Sequence, residues 1–367
     1  MSTGLWATLY IPTAPCTPIP LQTPEKTNHG WNVWSNDSFI SFTPTETAYC
    51  IEPGWEPIGA SVAESGRATF PIESSGVVIK TSELTSHTIK IGADDTTIRV
   101  LFPIHMSTKD SDEYLAIIKR VFNGIGDLYK NFETSQLTGH TVLISEGIAG
   151  DGTTIERSVY PTPTKDLTVF VRNKNHWRGE ELFIHAVAHL YNRHSTSGLA
   201  YQNNQSPVPK DDWQEAEAAW AEIVLRSDHD ARSARVQALH AIHESVVSGV
   251  FSPALDFPFN SKKVYEEVER KSVILGVNPT YGEIQYSHYV LAPLLLLAIE
   301  GLLEMHSTET TVSALLTQAR EENQNFFALV SDHLPEEVIP KIDDYIFGRE
   351  PIPYELLQAG LSRYEGM

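Results

Sequence analysis

The chain has 367 residues, enough for two or three modules rather than one small domain. Hydrophobic residues make up 41% and charged residues 20%, an ordinary globular balance. With 27 basic against 47 acidic residues the formal net charge is −20, which argues against nucleic acid as a partner, because phosphate binding needs basic surface, and disfavours anionic membrane surfaces.

The first twenty residues, MSTGLWATLYIPTAPCTPIP, have no basic stretch and no long apolar core, so they make a poor signal peptide and a cytoplasmic location is expected. Cys16 and Cys50 are the only cysteines. Neither belongs to a CxxC or Cys/His cluster, which leaves a single bridge open but no thiolate metal site. Residues 1–104 are rich in Thr, Ser, Pro and Gly. Short alternating runs such as SGVVIKTSE and TTIRVLF predict a β-rich N-terminal domain. The texture changes near residue 106. DSDEYLAIIKRVFNGIGDLYKNF has helical spacing, and HTVLISEG and DLTVFVRN then read as strands. A Gly- and Pro-broken stretch, IAGDGTTIERSVYPTPT, separates those two strands.

RGEELFIHAVAHLYNRH predicts a helix, with Glu180 and Glu181 in its first turn where the dipole favours them. DDWQEAEAAWAEIVLRSDHDARSARVQALHAIHESV predicts one or two more, with His240 and His243 expected on a helix surface. From residue 261 onward the chain reads as mostly helical. Its longest apolar run, VLAPLLLLAI, is too short to span a bilayer and suits a buried helix. The fold class expected is α+β, divided as a β-rich domain over 1–104, a mixed helix-and-strand domain over 105–305 and a helical region over 306–367.

His185 and His189 stand four residues apart, one helical turn, and can aim ring nitrogens at one point. A catalytic zinc takes three protein ligands and keeps a fourth position open. His194 is the nearest third candidate, five residues beyond His189. Glu215, 26 residues beyond His189, is the better one, because that gap holds a loop and a returning helix. Glu222 shares the helix face of Glu215 and competes with it, as does Glu217, which points elsewhere.

HAVAHLYNRH together with EAEAAWAE resembles the gluzincin metallopeptidases, in particular the glycyl aminopeptidase family. That family carries HExxH followed by an aromatic residue and Asn, which Tyr191 and Asn192 match, and a downstream helix opening on Glu, which Glu215-Ala216 matches. IQYSHYVLAPLLLLAIEGLL and DDYIFGREPIPYELLQAGL are similar to its later segments, and the likeness covers roughly residues 106–363. The resemblance implies a thermolysin-like catalytic domain, zinc held by His185, His189 and Glu215, and Tyr286 as donor to the oxyanion. It implies Glu156, in GDGTTIERS, as the partner of a substrate amino group.

Ala186 stands where the family has the glutamate that takes and returns the water's proton. A methyl cannot accept a proton, and losing a positioned base costs on the order of 10²–10⁴-fold in rate. The expected activity is therefore a zinc aminopeptidase acting on small peptides or amides, present in a disabled form. Retention of the ligands and of Tyr286 around one missing base favours an engineered Glu→Ala change over a natural pseudopeptidase. A zinc enzyme of the same scaffold acting on a specialised metabolite, as an epoxide hydrolase or a lyase/cyclase, is the second reading, since a fold does not settle a substrate.

Overall fold

The computed structural model describes short strands within residues 17–42, most of residues 48–146, and residues 167–172, 179–194, 210–248 and 287–365 with small breaks. The chain forms two compact units. The first comprises Met1–Lys90, Thr96–Leu115 and Leu137–Trp177, and the second Ile91–Asp95, Ala116–Gln136 and Arg178–Met367.

In the first unit, Gly76–Lys80 pairs antiparallel with Phe39–Phe42 on one side and Trp55–Ile58 on the other. Its Val77, Val78 and Ile79 are all buried. A second sheet joins Thr17–Pro18, Tyr49–Cys50, Arg67–Thr69 and Ser61–Ala63, in that order. Tyr49 packs edge-on against Phe70 at 5.9 Å in its core. Cys50 is disulfide-bonded.

A third sheet orders Leu84–Ile91, Thr96–Pro103, Thr141–Glu146 and Leu167–Arg172, the last three running parallel. Parallel strands bury continuous apolar runs, and Val100–Leu101–Phe102 and Val142–Leu143–Ile144 are such runs. Helix α1 (Thr108–Leu128) lies in the connection between two of these strands. Its start is fixed by Ser107, whose Oγ accepts from the Asp110 N–H at 3.1 Å.

The second unit is helical: α2 (Gly179–His194), α3 (Lys210–Val224), α4 (His229–Val247), α5 (Ala292–Met305), α6 (Val312–Glu321), α7 (Phe326–His333), α8 (Ile339–Ile346) and α9 (Tyr354–Ser362). The stretch expected as one or two helices is two, α3 and α4. The Asp228 carboxylate accepts from the Ala231 N–H at 3.0 Å and starts the second. The apolar run becomes α5, buried from Ala292 to Leu303. No described helix is long and apolar enough to cross a membrane.

Helices α5 and α9 touch backbone to backbone. A Cβ at Gly301 would fall 2.1 Å from the Leu356 carbonyl oxygen, and one at Gly360 2.1 Å from that of Leu297. Beside this crossing the buried Glu300 carboxylate accepts from the Val312 N–H at 2.7 Å and the Tyr364 hydroxyl at 2.8 Å, with Arg363 3.1 Å away. Its pKa is raised, because burial outweighs these partners.

His243 departs from expectation. It is fully buried rather than on a helix surface, and its Nε2 accepts from the Ile352 N–H at 3.2 Å. His240 is half-buried beside it, its Nε2 2.8 Å from the Ile352 carbonyl. The segment leading into α9 covers this face of α4, which its local sequence does not reveal.

Gly301→Ala forces helix backbones apart and should destabilise the chain by about 1–3 kcal/mol in chemical denaturation, the usual cost of overpacking. Burial, with a smaller contribution from His240, holds the His243 imidazole down at about 4 against its ordinary 6.5. The unfolded chain therefore takes up this proton first. The stabilisation is complete above about pH 6.5 and is lost as the pH falls towards about 4, on the order of 3 kcal/mol in all. Denaturation measured across that window should show the slope, and His243→Gln should flatten it.

Candidate metal centre

Helix α2 is buried along its whole central stretch, from Phe183 to Asn192. Polar groups in such a helix need partners. Its N-terminus is clamped: Glu180 pairs with Arg120 and accepts from the Ser227 N–H at 3.2 Å and hydroxyl at 3.0 Å, and Glu181 pairs with Arg226. At its other end the Tyr191 hydroxyl donates to the Phe122 carbonyl at 3.1 Å. Burial pushes that phenol's pKa up.

Between these anchors His185 (4% exposed) and His189 (0%) bring their Nε2 atoms to 3.0 Å, with ring planes at 82°. Each ring's Nδ1 faces an acceptor. Glu222 Oε1 lies 2.6 Å from Nδ1 of His185, and Asn192 Oδ1 lies 3.4 Å from Nδ1 of His189. If both rings carry their proton on Nδ1, both Nε2 lone pairs point at one spot. Two lone pairs at that distance repel unless a proton or a cation sits between them. Two imidazoles on one tetrahedral zinc would have nitrogens about 3.3 Å apart, given Zn–N bonds of about 2.0–2.1 Å. The donor set therefore fits zinc, and the outer carboxylate on His185 is the support a ligating imidazole usually has.

Among the described residues no three His, Cys, Asp or Glu side chains converge on one point. Glu215 lies on α3, but its side chain is outside the described residues, as is that of His194. Glu156 and Tyr286 lie wholly outside them. Glu222 is brought to the site, against the back of His185 rather than the shared Nε2 position. Glu217 does point elsewhere: it is 1% exposed and ion-paired with Arg320 of α6. Ala186 has no exposed surface.

Tyr289 is a residue that the sequence reading passed over. It sits in a π-helical turn, Ser287–Leu291, with its ring 5.7 Å from that of His185. Pro293 supplies the local cause. It has no N–H to give the Tyr289 carbonyl, so the ordinary i→i−4 bond cannot form there and the turn widens. That proline, at the head of an apolar run, was the available sequence signal.

Comparison with solved structures finds an aminopeptidase N family protein from Idiomarina loihiensis at TM-score 0.57 and 12% identity, covering 89% of this chain and 62% of that one. The M1 zinc metallopeptidase of Deinococcus radiodurans follows at TM-score 0.50 and 12% identity, covering 87% of this chain and 73% of that one. The fold is that of the M1 zinc metallopeptidases. A yeast LTA4 hydrolase complexed with bestatin is found at TM-score 0.48 and 10% identity, covering 85% of this chain and 46% of that one. This chain spans less than two thirds of the length of the Idiomarina protein. No family model and no curated protein matches its sequence. At these identities the likeness is one of fold, a mixed helix-and-sheet architecture.

The Glu217–Arg320 pair should be costly to break. Arg320→Ala leaves a buried carboxylate without its cation and should lower stability by about 3–5 kcal/mol in urea denaturation.

Proposed function

We propose that this chain is a zinc metallopeptidase of aminopeptidase type, directed at small peptides or amides and lacking its general base at Ala186. The observation that carries the reading is the pair of Nε2 atoms 3.0 Å apart, each ring backed by an oxygen at Nδ1. In this reading His185, His189 and Glu215 hold the metal, within a zinc domain over 105–305 that follows a β-rich domain over 1–104 and precedes a helical region over 306–367. Glu215 and Glu222 are seven residues apart on α3, two turns, a spacing suited to one as ligand and one as outer support.

Zinc bound there supplies Lewis-acid polarisation of a scissile carbonyl and of water. Glu156 pairs with the free α-amine of the substrate and so selects the peptide end. A phenol donates to the developing oxyanion. Tyr286 is the family's choice, and Tyr289 competes with it through its place beside His185. Ala186 offers no proton acceptor, so turnover is slow while metal binding is untouched.

The second reading, a zinc enzyme of the same scaffold acting on a specialised metabolite, draws on the burial of both histidines, which suits an apolar ligand better than an open peptide cleft. A natural non-catalytic pseudopeptidase is the third.

The test is Ala186→Glu beside the unchanged chain, with zinc content and aminopeptidase rates measured on both. Equal zinc content and a gain of about 10²–10⁴-fold in rate are expected. Ala186 is buried, so a carboxylate placed there loses its hydration. The variant should accordingly gain more thermal stability from zinc than the unchanged chain does. Zinc in both without hydrolysis by either would overturn the peptidase reading for these substrates. Absence of zinc from both would overturn the metal centre.

A further inference from the structure

The metal centre does not account for HAIHE on α4. His240 and His243 are three residues apart on that helix and so share a face. Both meet one residue, Ile352, whose side chain has no exposed surface. Pro351 and Pro353 flank it, so Ile352 carries the sole backbone N–H of that three-residue stretch, and the proline after it holds it extended. A residue in that conformation turns its N–H and C=O to the same side, as in a hydrogen-bonded pair of strands. Here a pair of imidazoles takes the place of the second strand.

The two contacts differ in what a proton does to them. The Ile352 N–H can only donate, so Nε2 of His243, 3.2 Å away, holds a lone pair and the ring is neutral. The Ile352 carbonyl can only accept, so Nε2 of His240, 2.8 Å away, carries a hydrogen. Charging His240 leaves its bond in place. Charging His243 sets N–H against N–H and takes the acceptor from a buried amide. His243 has no exposed surface on which to hydrate that charge.

The surrounding groups do not offset it. On α4, Glu244 is exposed and stands 3.8 Å from Nδ1 of His240. On the covering segment, Arg349 pairs with Asp344, Glu350 and Glu355 are exposed, and the Tyr354 ring lies 5.3 Å from that of His240. Helices α3 and α5 also pack on α4, where Glu217, Glu222 and Glu300 are committed to Arg320, His185 and Arg363. Among the described residues the charge that acts on His243 is that of His240, which opposes its own.

We propose that His240 and His243 form an acid-released latch, which holds the segment leading into α9 against α4 at neutral pH and lets it go when His243 takes up a proton. Helix α9 itself stays anchored by its glycine crossing with α5, so the opening is local. Helix α4 also packs on the π turn that carries Tyr289, which puts the latch one helix away from the histidine pair. The latch does not depend on the zinc reading.

The test is amide hydrogen exchange followed by NMR on the full chain labelled with nitrogen-15 isoleucine, from pH 7 to pH 4, with each rate divided by the intrinsic rate at that pH. Ile299, buried in α5, is the internal reference. Ile352 should be less protected than Ile299, and its protection should fall about tenfold per pH unit from about 6.5 towards about 4. In His243→Gln the side-chain oxygen accepts from the Ile352 N–H without titrating, so the pH dependence should vanish. In His240→Gln the side-chain amide still donates to the carbonyl, and the dependence should remain.

Equal protection at both isoleucines throughout would mean that the segment opens only with the whole unit, and would overturn the latch without any variant. So would protection at Ile352 that ignores pH. A folded His243→Gln protein that keeps the dependence, or a folded His240→Gln protein that loses it, would overturn it as well.

Discussion

Two imidazole lone pairs aimed at one point from a single turn of helix are unstable unless something positive lies between them. Most of the architecture around α2 follows from that constraint. Both Nδ1 atoms must find oxygen inside a core, so a carboxylate comes from α3 and an amide from α2 itself. The helix must not rotate or slide, so its first turn is clamped by Arg120, Arg226 and Ser227, and its far end by a tyrosine bonded to the α1 backbone. A helix free to turn by even a fraction of a residue would carry His185 away from Glu222 of α3.

The cost of such a site is buried charge. Glu217 and Glu300 are each enclosed and each matched by a cation from elsewhere in the same unit, and Glu300 also accepts from the Val312 N–H and the Tyr364 hydroxyl. Such groups seldom add net stability compared with apolar side chains of the same shape. They do penalise wrong packings heavily, because a misplaced helix would strand a charge in the core. Helix α6 contributes to both clusters, through Arg320 and through the Val312 N–H. Its registry is therefore coupled to that of α3 on one side and α5 on the other.

The parts of this molecule that were legible in the sequence are those with a local period. Alternation over TTIRV and helical spacing over HAVAHLYNRH identify a strand and the helix of the histidine pair. The uniform apolar run marks a helix buried from all sides. The i, i+4 spacing of His185 and His189 predicts their convergence directly. Contacts between residues a hundred apart leave no such trace. Nothing near Glu217 announces Arg320, 103 residues away, and nothing in HAIHE announces that Ile352 will cover His243. Helix geometry sets Glu217 on a different face from Glu222, but the geometry of one helix cannot say what waits there. Glu222 was legible as a neighbour of the site and not as support for His185, because that distinction depends on how far apart α2 and α3 lie.

The widened turn at Ser287–Leu291 has a bearing on how this part of the chain can vary. A π turn holds one residue more than an α turn, and each residue advances a helix by about 100°. Removing Val290 would take one residue out of that turn while leaving the buried face of α5 where it is. Tyr289 would then swing roughly a quarter turn around the axis, away from the His185 ring. Length within this segment is thus as constraining as residue identity: a single deletion there would empty the space beside the His185 ring without changing either histidine.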